Sequence, residues 1–524
     1  MKALFVFPPN WSINSLNTGI PEIMGFLVNS GYTEVNAIDL NIKSYNFLQK
    51  QLYLKISEKK YNFLKRIIRI NLFKDSKQFQ NDEERNNYKN KKKLLKRNIS
   101  VLKIKNIIDK YTEKHKEKVY SNFFNSIADE IINNNYDYIG FSVSDINQNE
   151  LSIILTKILR EKGYKGHICF GGPYNNTIKE EKIKANTILF DYGIDTFMFG
   201  CGENPTKELF EYLEGKRDIS TVSNIIYMDS NRNIHENLIK NVYISEHISP
   251  IYNGYDFYEY PMPETILPIR TSSGCYYGKC SFCIYNHLSK YKQRSVDDVI
   301  NEIKEIIKKY NVNNFYFVDA ALSPAFLEEF SNKIINEKIE IYYMTNLRFE
   351  ECYTKEFLQK LYKSGLRLAM WGLESASPQI IKLMRKGTDI DIAKRILKDS
   401  FSNKIFNHLY FIYHFPSETI EDFELTYKFI KKNKNFIFTV AAHDFSLYRE
   451  TEIYKNYENY QIDKNIIDEM GDKLYRYAYI LSKSEDEKKK FERILNKIRH
   501  IMHIRNRRSD IYAGELLFLL SKYS

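Results

Sequence analysis

Leu267-Pro-Ile-Arg-Thr-Ser-Ser-Gly-Cys275-Tyr-Tyr-Gly-Lys-Cys280-Ser-Phe-Cys283 joins a short apolar run to a loop that carries three thiols. Beyond it the sequence alternates between strand and helix patterns. Strands are expected at Pro268–Thr271, Phe315–Val318, Ile339–Met344, Leu368–Trp371, Leu409–Tyr413 and Ile437–Ala441. Helical spacing fills 295–310, 324–337, 354–364, 377–384, 390–402 and 419–432 between them. Strands separated by helices of this length pair in parallel, and six such units predict a partial (β/α)6 barrel over 265–445. The chemistry of such a barrel belongs at the C-terminal ends of its strands, and the cysteine loop follows the first strand directly.

Upstream, Lys2–Phe7 is a short apolar run stopped by Pro8-Pro9, and Val35–Asp39 is a second. Ile20, Ile23, Met24, Leu27 and Val28 between them have helical spacing. Tyr138–Val143, His167–Phe170 before Gly171-Gly172-Pro173, and Thr196–Phe199 before Gly200-Cys-Gly-Glu203 continue the series, with helices at 147–162 and 205–214. This pattern predicts a Rossmann-like α/β domain over 1–215, interrupted by a helical, Lys/Asn/Ile-rich insertion at about 45–122. Residues 216–264 are expected to be a linker with a hairpin at Asn224–Ile234, and 446–524 a helical C-terminal region.

The 524 residues carry a net charge of +12, which invites a nucleic-acid reading. Between Gln51 and Lys118, however, stand 21 Lys/Arg and 8 Asp/Glu; removing these from the chain totals of 78 and 66 leaves 57 basic against 58 acidic. The excess is therefore local, and a solvated helical face explains Lys91–Arg97 more simply than a phosphate-binding surface. Charged residues are 27% and hydrophobic ones 43% of the chain, which excludes a wholly disordered protein. No apolar run approaches the roughly 18 residues of a membrane span, and the opening run is too short for a signal-peptide core, so a cytoplasmic protein is expected.

Six cysteines in so long a chain are not a disulfide framework. Cys275, Cys280 and Cys283 cluster, whereas Cys169, Cys201 and Cys352 stand alone. Three thiolates suit an iron-sulfur cluster with one iron open to a ligand. The alternative is a structural zinc site completed by His287, although zinc usually staples a small module rather than opening a barrel.

The cysteine loop, with Phe282 before its last thiol, Gly372-Leu-Glu-Ser-Ala-Ser at one strand end and Phe415-Pro-Ser-Glu-Thr419 at another, resembles the radical SAM superfamily. The N-terminal domain, with Gly171-Gly172-Pro173 and Gly200-Cys-Gly-Glu203, is similar to the cobalamin-binding domain of that superfamily's cobalamin-dependent branch. The match covers about 1–215 and 265–440. It departs from the commonest pattern in having four residues between the first two cysteines and His414 before Phe-Pro-x-Glu-Thr.

The resemblance implies three cofactors: a [4Fe–4S] cluster on Cys275, Cys280 and Cys283, S-adenosylmethionine chelating the open iron, and cobalamin. A 5'-deoxyadenosyl radical would then remove an inert hydrogen, the protein's task being to bind, orient and shield. Phe282, Asp319, Arg348 and Glu374 are the implied S-adenosylmethionine contacts. For three of these a structural role is the alternative: a core aromatic for Phe282, helix capping for Asp319, and for Glu374 capping with Ser375 and Ser377. Asp39, Asn41, Ser142, Ser144, Gly171, Gly172, Gly200, Gly202 and Glu203 are the implied cobalamin contacts. The Asp-x-His-x-x-Gly pattern of such domains reads here as Asp39-Leu-Asn41-Ile-Lys-Ser44, so the lower-face histidine ligation that the full motif supports is not expected from it. No catalytic side chain is identified beyond these cofactor contacts.

These expectations favour a C-methyltransferase of natural-product or modified-peptide biosynthesis, with a cobalamin-dependent cyclase or rearrangement enzyme as the runner-up. The substrate would be a small molecule or peptide and the electron donor a flavodoxin or ferredoxin. A tRNA methylthiotransferase needs three further cluster cysteines in its N-terminal domain, where only Cys169 and Cys201 stand. A zinc-stabilised nucleic-acid-binding protein leaves the barrel motifs unexplained.

Overall fold

A computed structural model describes residues 1–12, 16–55, 120–177, 188–238, 249–260, 262, 264–285, 290–470, 476–506, 518–519 and 521–522. Most of the expected insertion, with Lys91–Arg97, lies outside these residues, as does His287. The described residues divide into two units, the second beginning at Glu264.

In the first unit, β1 (Ala3–Phe7) is apolar and buried along its whole length, the mark of a central strand covered on both faces. Because side chains alternate along a strand, Leu4 and Val6 enter one core with Phe141 and Phe170, while Ala3, Phe5 and Phe7 enter another with Tyr138 and Phe210. β2 (Val35–Asp39), β3 (Tyr138–Ser142), β4 (His167–Gly171) and β5 (Thr196–Met198) join β1 in parallel, in the order 2-1-3-4-5. This is a doubly wound sheet whose chain direction switches between β1 and β3, so its ligand crevice is expected at the C-terminal ends of those two strands.

The segment expected as a linker is part of this unit. β6 (Ile225–Met228) and β7 (Ile234–Glu236) extend the sheet antiparallel beyond β5. Asp229 builds their turn by accepting from the backbone N–H groups of Asn231 and Asn233 at 2.9 and 2.8 Å. Further on, the Ile251 N–H donates to the Pro21 carbonyl at 2.9 Å and the Ala37 N–H to the Asn253 carbonyl at 3.1 Å. Gly254, at φ +88°, passes so close to β2 that a Cβ would lie 2.0 Å from the Ala37 carbonyl oxygen.

The second unit is built on six parallel strands in the order β15-β14-β13-β12-β11-β8: β8 (Leu267–Ile269), β11 (Asn314–Phe317), β12 (Tyr342–Leu347), β13 (Leu366–Glu374), β14 (Phe406–Tyr413) and β15 (Thr439–Asp444). Two short strands, β9 (Ser272–Ser273) and β10 (Lys292–Gln293), pair across the cysteine loop. The helices start where side-chain caps stand: Ser295, Ser323, Thr354, Ser377, Asp389 and Thr419 each accept from a first-turn N–H. Pro324 and Pro378 follow two of these caps, at positions that lack a hydrogen bond anyway.

The C-terminal region is less uniformly helical than expected. β16 (Ser446–Tyr448) pairs antiparallel with β17 (Arg476–Ala478). Leu447, Tyr460 and Tyr477 pack with Ile380, Met384 and Phe415 of the barrel. The helix Glu485–Asn506 lies along the helix Ile420–Asn433, with Phe491 stacked on Phe423 at 5.2 Å.

Candidate functional site

The cysteine loop is anchored on both sides before any cofactor enters. Asp319, just past β11, is buried and accepts from the backbone N–H of Thr271 at 3.2 Å and of Ser272 at 2.5 Å, and from the Ser272 hydroxyl at 2.6 Å. Burial pushes its carboxyl up, against the pull of these donors. Asp319 therefore ties the end of β8 to the end of β11, and the helix it was a candidate to cap is capped by Ser323. At the far end of the loop, the Ser281 N–H donates to the Met384 carbonyl at 3.0 Å and its hydroxyl to the Leu383 carbonyl at 2.9 Å. Phe282 meets Phe415 edge-on at 6.4 Å, beside the cluster that holds the C-terminal strands, which makes it a packing residue in this structure.

The three thiols are half-buried and within electrostatic reach of one another. Burial pushes Cys283 up to about 11 and raises Cys280, whose shift Lys386 and Arg348 oppose. No group of three or more His, Cys, Asp and Glu side chains among the described residues closes on a single ion. An all-thiolate set beside two buried cations fits an anionic iron-sulfur cluster, whose ligands sit on separate irons.

Arg348, buried just past β12, packs its guanidinium over the Tyr277 ring at 3.3 Å and points Nη1 at Cys280 Sγ, 3.9 Å away. Its Nη2 donates to the Lys386 carbonyl at 2.6 Å and its Nε to Glu350 at 3.1 Å, and Glu350 also accepts from the Tyr276 hydroxyl at 2.6 Å. The guanidinium thus braces the loop from inside.

Glu374 ends β13 in the left-handed region, φ +61°, after a shift in register with β14. Its Oε1 accepts from Lys386 Nζ at 2.9 Å. The expected alternative, capping of the next helix, falls to Ser377. A cavity of about 890 Å³ reaches Cys280 between Tyr277–Lys279 and the 378–391 segment, and the buried Thr388 hydroxyl beside it has no hydrogen-bond partner among the described residues. Lys386, Tyr277 and Glu350 were not legible as site residues. The only local signal was Lys386-Gly387 following Glu374 at a distance of one helix.

In the first unit, the predicted cobalamin residues fall at the C-terminal edge of the parallel strands, though several are already engaged. Asp39 is buried, accepts from the Tyr260 hydroxyl at 2.5 Å and the Ile42 N–H at 3.1 Å, and is pushed up to about 6 by burial. Asn41 accepts from the Trp11 N–H at 2.9 Å and donates to the Ser12 carbonyl at 3.1 Å, so its amide shapes the loop after β1. Ser142 ends β3 opposite Gly171, and the Ser144 N–H donates to Gln148 at 2.8 Å. Gly172, at φ +100°, would bring a Cβ within 2.5–2.6 Å of the Val143 backbone, whereas Gly171 has only ordinary contacts. Gly200 has φ +67°; Gly202 and Glu203 open the helix Glu203–Leu213.

Residues 269–430 match the radical SAM superfamily, so the chain carries a radical SAM domain and, with it, the machinery for a [4Fe–4S] cluster and S-adenosylmethionine. Among relatives, bacteriochlorophyllide d C-12(1)-methyltransferase of Chlorobaculum tepidum is 30% identical over 183 residues, 32% of this chain and 38% of that one. An uncharacterized methyltransferase of Pyrococcus horikoshii is 25% identical over 286 residues, 53% of this chain and 60% of that one. The chain thus spans about two-fifths to three-fifths of these curated relatives. The cobalamin-dependent S-adenosylmethionine radical enzyme OxsB, with aqua-cobalamin bound, shares the fold at TM-score 0.63 and 16% identity, over 100% of this chain and 75% of that one.

Proposed function

We propose that this protein is a cobalamin-dependent radical SAM C-methyltransferase acting on an unactivated carbon of a small-molecule or peptide natural product. The observation that carries the reading is the pairing, in one chain, of a 2-1-3-4-5 doubly wound unit with a six-stranded radical SAM unit. That same pairing underlies the likeness to a cobalamin-dependent enzyme along the whole chain, and methyltransferases are among the relatives in sequence.

Cys275, Cys280 and Cys283 would hold the cluster, with Glu374 and Arg348 facing S-adenosylmethionine and Asp319 and Phe282 fixing the loop. Ser142, Ser144, Gly171, Gly172, Gly200, Gly202 and Glu203 would form the edge that receives cobalamin, shaped by Asp39 and Asn41. When bound, these groups supply a radical able to remove an unactivated hydrogen and a carrier for a methyl group. The chain's own part is positional. Asn41 spends its amide on the loop after β1 and offers cobalt no imidazole. Asp319 and Ser281 hold the two ends of the thiol loop. A flavodoxin or ferredoxin would deliver electrons in the cytoplasm, and no helix among the described residues is long and apolar enough to cross a membrane.

The test is anaerobic purification and reconstitution, followed by iron, sulfide, zinc and cobalt analysis and an optical spectrum of one sample. Four irons and about one cobalt per chain are expected, and S-adenosylmethionine with a methyl-labelled group then assays transfer. Iron without cobalt, even after cobalamin is supplied, overturns the methyltransferase reading. Zinc alone returns the nucleic-acid-binding alternative. Cofactor turnover without methyl transfer to any substrate carbon favours the cyclase or rearrangement enzyme.

A further inference from the structure

We propose that Lys386 is a positioning residue for the S-adenosylmethionine site, fixing the Glu374 carboxylate through one oxygen and setting a positive charge behind the loop that carries Cys280. The inference rests on the cluster-bearing reading above and concerns a residue that no motif singled out.

The first support is the carboxylate itself. Lys386 Nζ takes Glu374 Oε1 at 2.9 Å, and no hydrogen bond from a described residue reaches Oε2. One oxygen is therefore held while the other stays available for the ammonium of an amino-acid ligand. A half-buried, singly paired carboxylate in a fixed orientation is suited to that task, because the lysine offsets part of its desolvation.

The second support is that the ammonium is placed by the backbone around it. The Lys386 N–H donates to the Ile381 carbonyl at 3.1 Å and its own carbonyl accepts from Arg348 at 2.6 Å. The Tyr277 hydroxyl closes on the Arg385 carbonyl at 2.9 Å. Gly387, at φ +68°, makes that closure possible, since a Cβ there would stand 2.6 Å from the Tyr277 hydroxyl. Gly372 leaves the space the ion pair fills: its Cβ would meet Glu374 Oε1 at 2.7 Å and Lys386 Nζ at 2.8 Å.

The third support is charge. Lys386 is only 7% exposed, and its carbonyl accepts from the guanidinium of Arg348, whose Nη1 stands 3.9 Å from Cys280 Sγ. Electron uptake makes a thiolate-bound cluster more negative, so a fixed neighbouring cation favours the reduced form and raises the reduction potential.

The experiment compares reconstituted wild type, Lys386→Met and Lys386→Arg by the midpoint potential of the cluster and by the change in its electron paramagnetic resonance on titration with S-adenosylmethionine. Lys386→Met is expected to lower the potential and weaken S-adenosylmethionine binding by roughly tenfold, while Lys386→Arg restores the potential. An unchanged potential in Lys386→Met overturns the inference, as does an equal fall in both variants, which would assign the effect to packing. If Lys386→Met does not retain its irons, Lys386→Gln is read by the same criteria. A wild-type protein that takes up no iron and sulfide defeats the functional reading instead, so the two failures are distinct.

Discussion

Gly172 shows how one residue can join two arguments. Its φ of +100° and the 2.5–2.6 Å approach to the Val143 backbone exclude any side chain, so the glycine is needed by the fold whether or not a cofactor passes nearby. Gly172→Ala should destabilise the first unit by about 2 kcal/mol or more. Hydrogen exchange of the full-length chain would register this as faster exchange in peptides from 138–175, with those from 366–413 unchanged. At this scale the sequence was readable where chemistry demands rare residues: three spaced cysteines, a glutamate at a strand end, a glycine pair. It was silent on Lys386, Arg348's stacking on Tyr277 and the Asp39–Tyr260 bond, because each depends on a neighbour remote in sequence, 221 residues away in the last case.

At the scale of elements, strand and helix periodicity located all six barrel strands, and the capping residues account for the sharpness of the helix starts. The misses were ends and short pieces. β12 begins at Tyr342 rather than Ile339: Ile341 is buried and Ile339 half-buried, but both precede the ladder. β16 and β17 are three residues each, too short for alternation to register. The turn from β14 into the helix Ile420–Asn433 carries a testable device. Glu418 is buried, accepts from the Phe415 N–H at 3.2 Å, and is raised to about 8, chiefly by burial. A carboxyl whose folded value lies above its ordinary 4.5 stabilises the fold fully below that value, and the contribution is lost as pH rises toward about 8. The loss is on the order of 3–5 kcal/mol at most. Exchange protection of peptides from 409–430 should therefore fall between pH 5 and 8, and Glu418→Gln should flatten that slope while keeping the amide acceptor for Phe415. An unchanged slope in the variant would place the titration elsewhere.

For the whole molecule, the α/β character of both units was legible because each repeats its pattern several times, whereas the hairpin at 225–236 was read as part of a linker. A hairpin looks the same in sequence whether it stands alone or pairs with a sheet; only the register Thr196↔Tyr227 decides. The two units also separate the proposed cofactors by chain segment. Every predicted cluster ligand lies after Glu264, and every predicted cobalamin residue lies before it. Each unit has its own buried core, so removing ligands from one should leave the other folded. A variant with Cys275, Cys280 and Cys283 all changed to serine should lose its iron and sulfide and all radical chemistry, because an alcohol is a far poorer iron ligand than a thiolate. Its cobalt content after reconstitution should remain close to that of wild type, since the carbonyl, hydroxyl and glycine edge of the first unit is untouched. Parallel loss of cobalt and iron would mean that cobalamin is held by residues of the second unit, and the assignment of the first unit as its binding domain would fall with it.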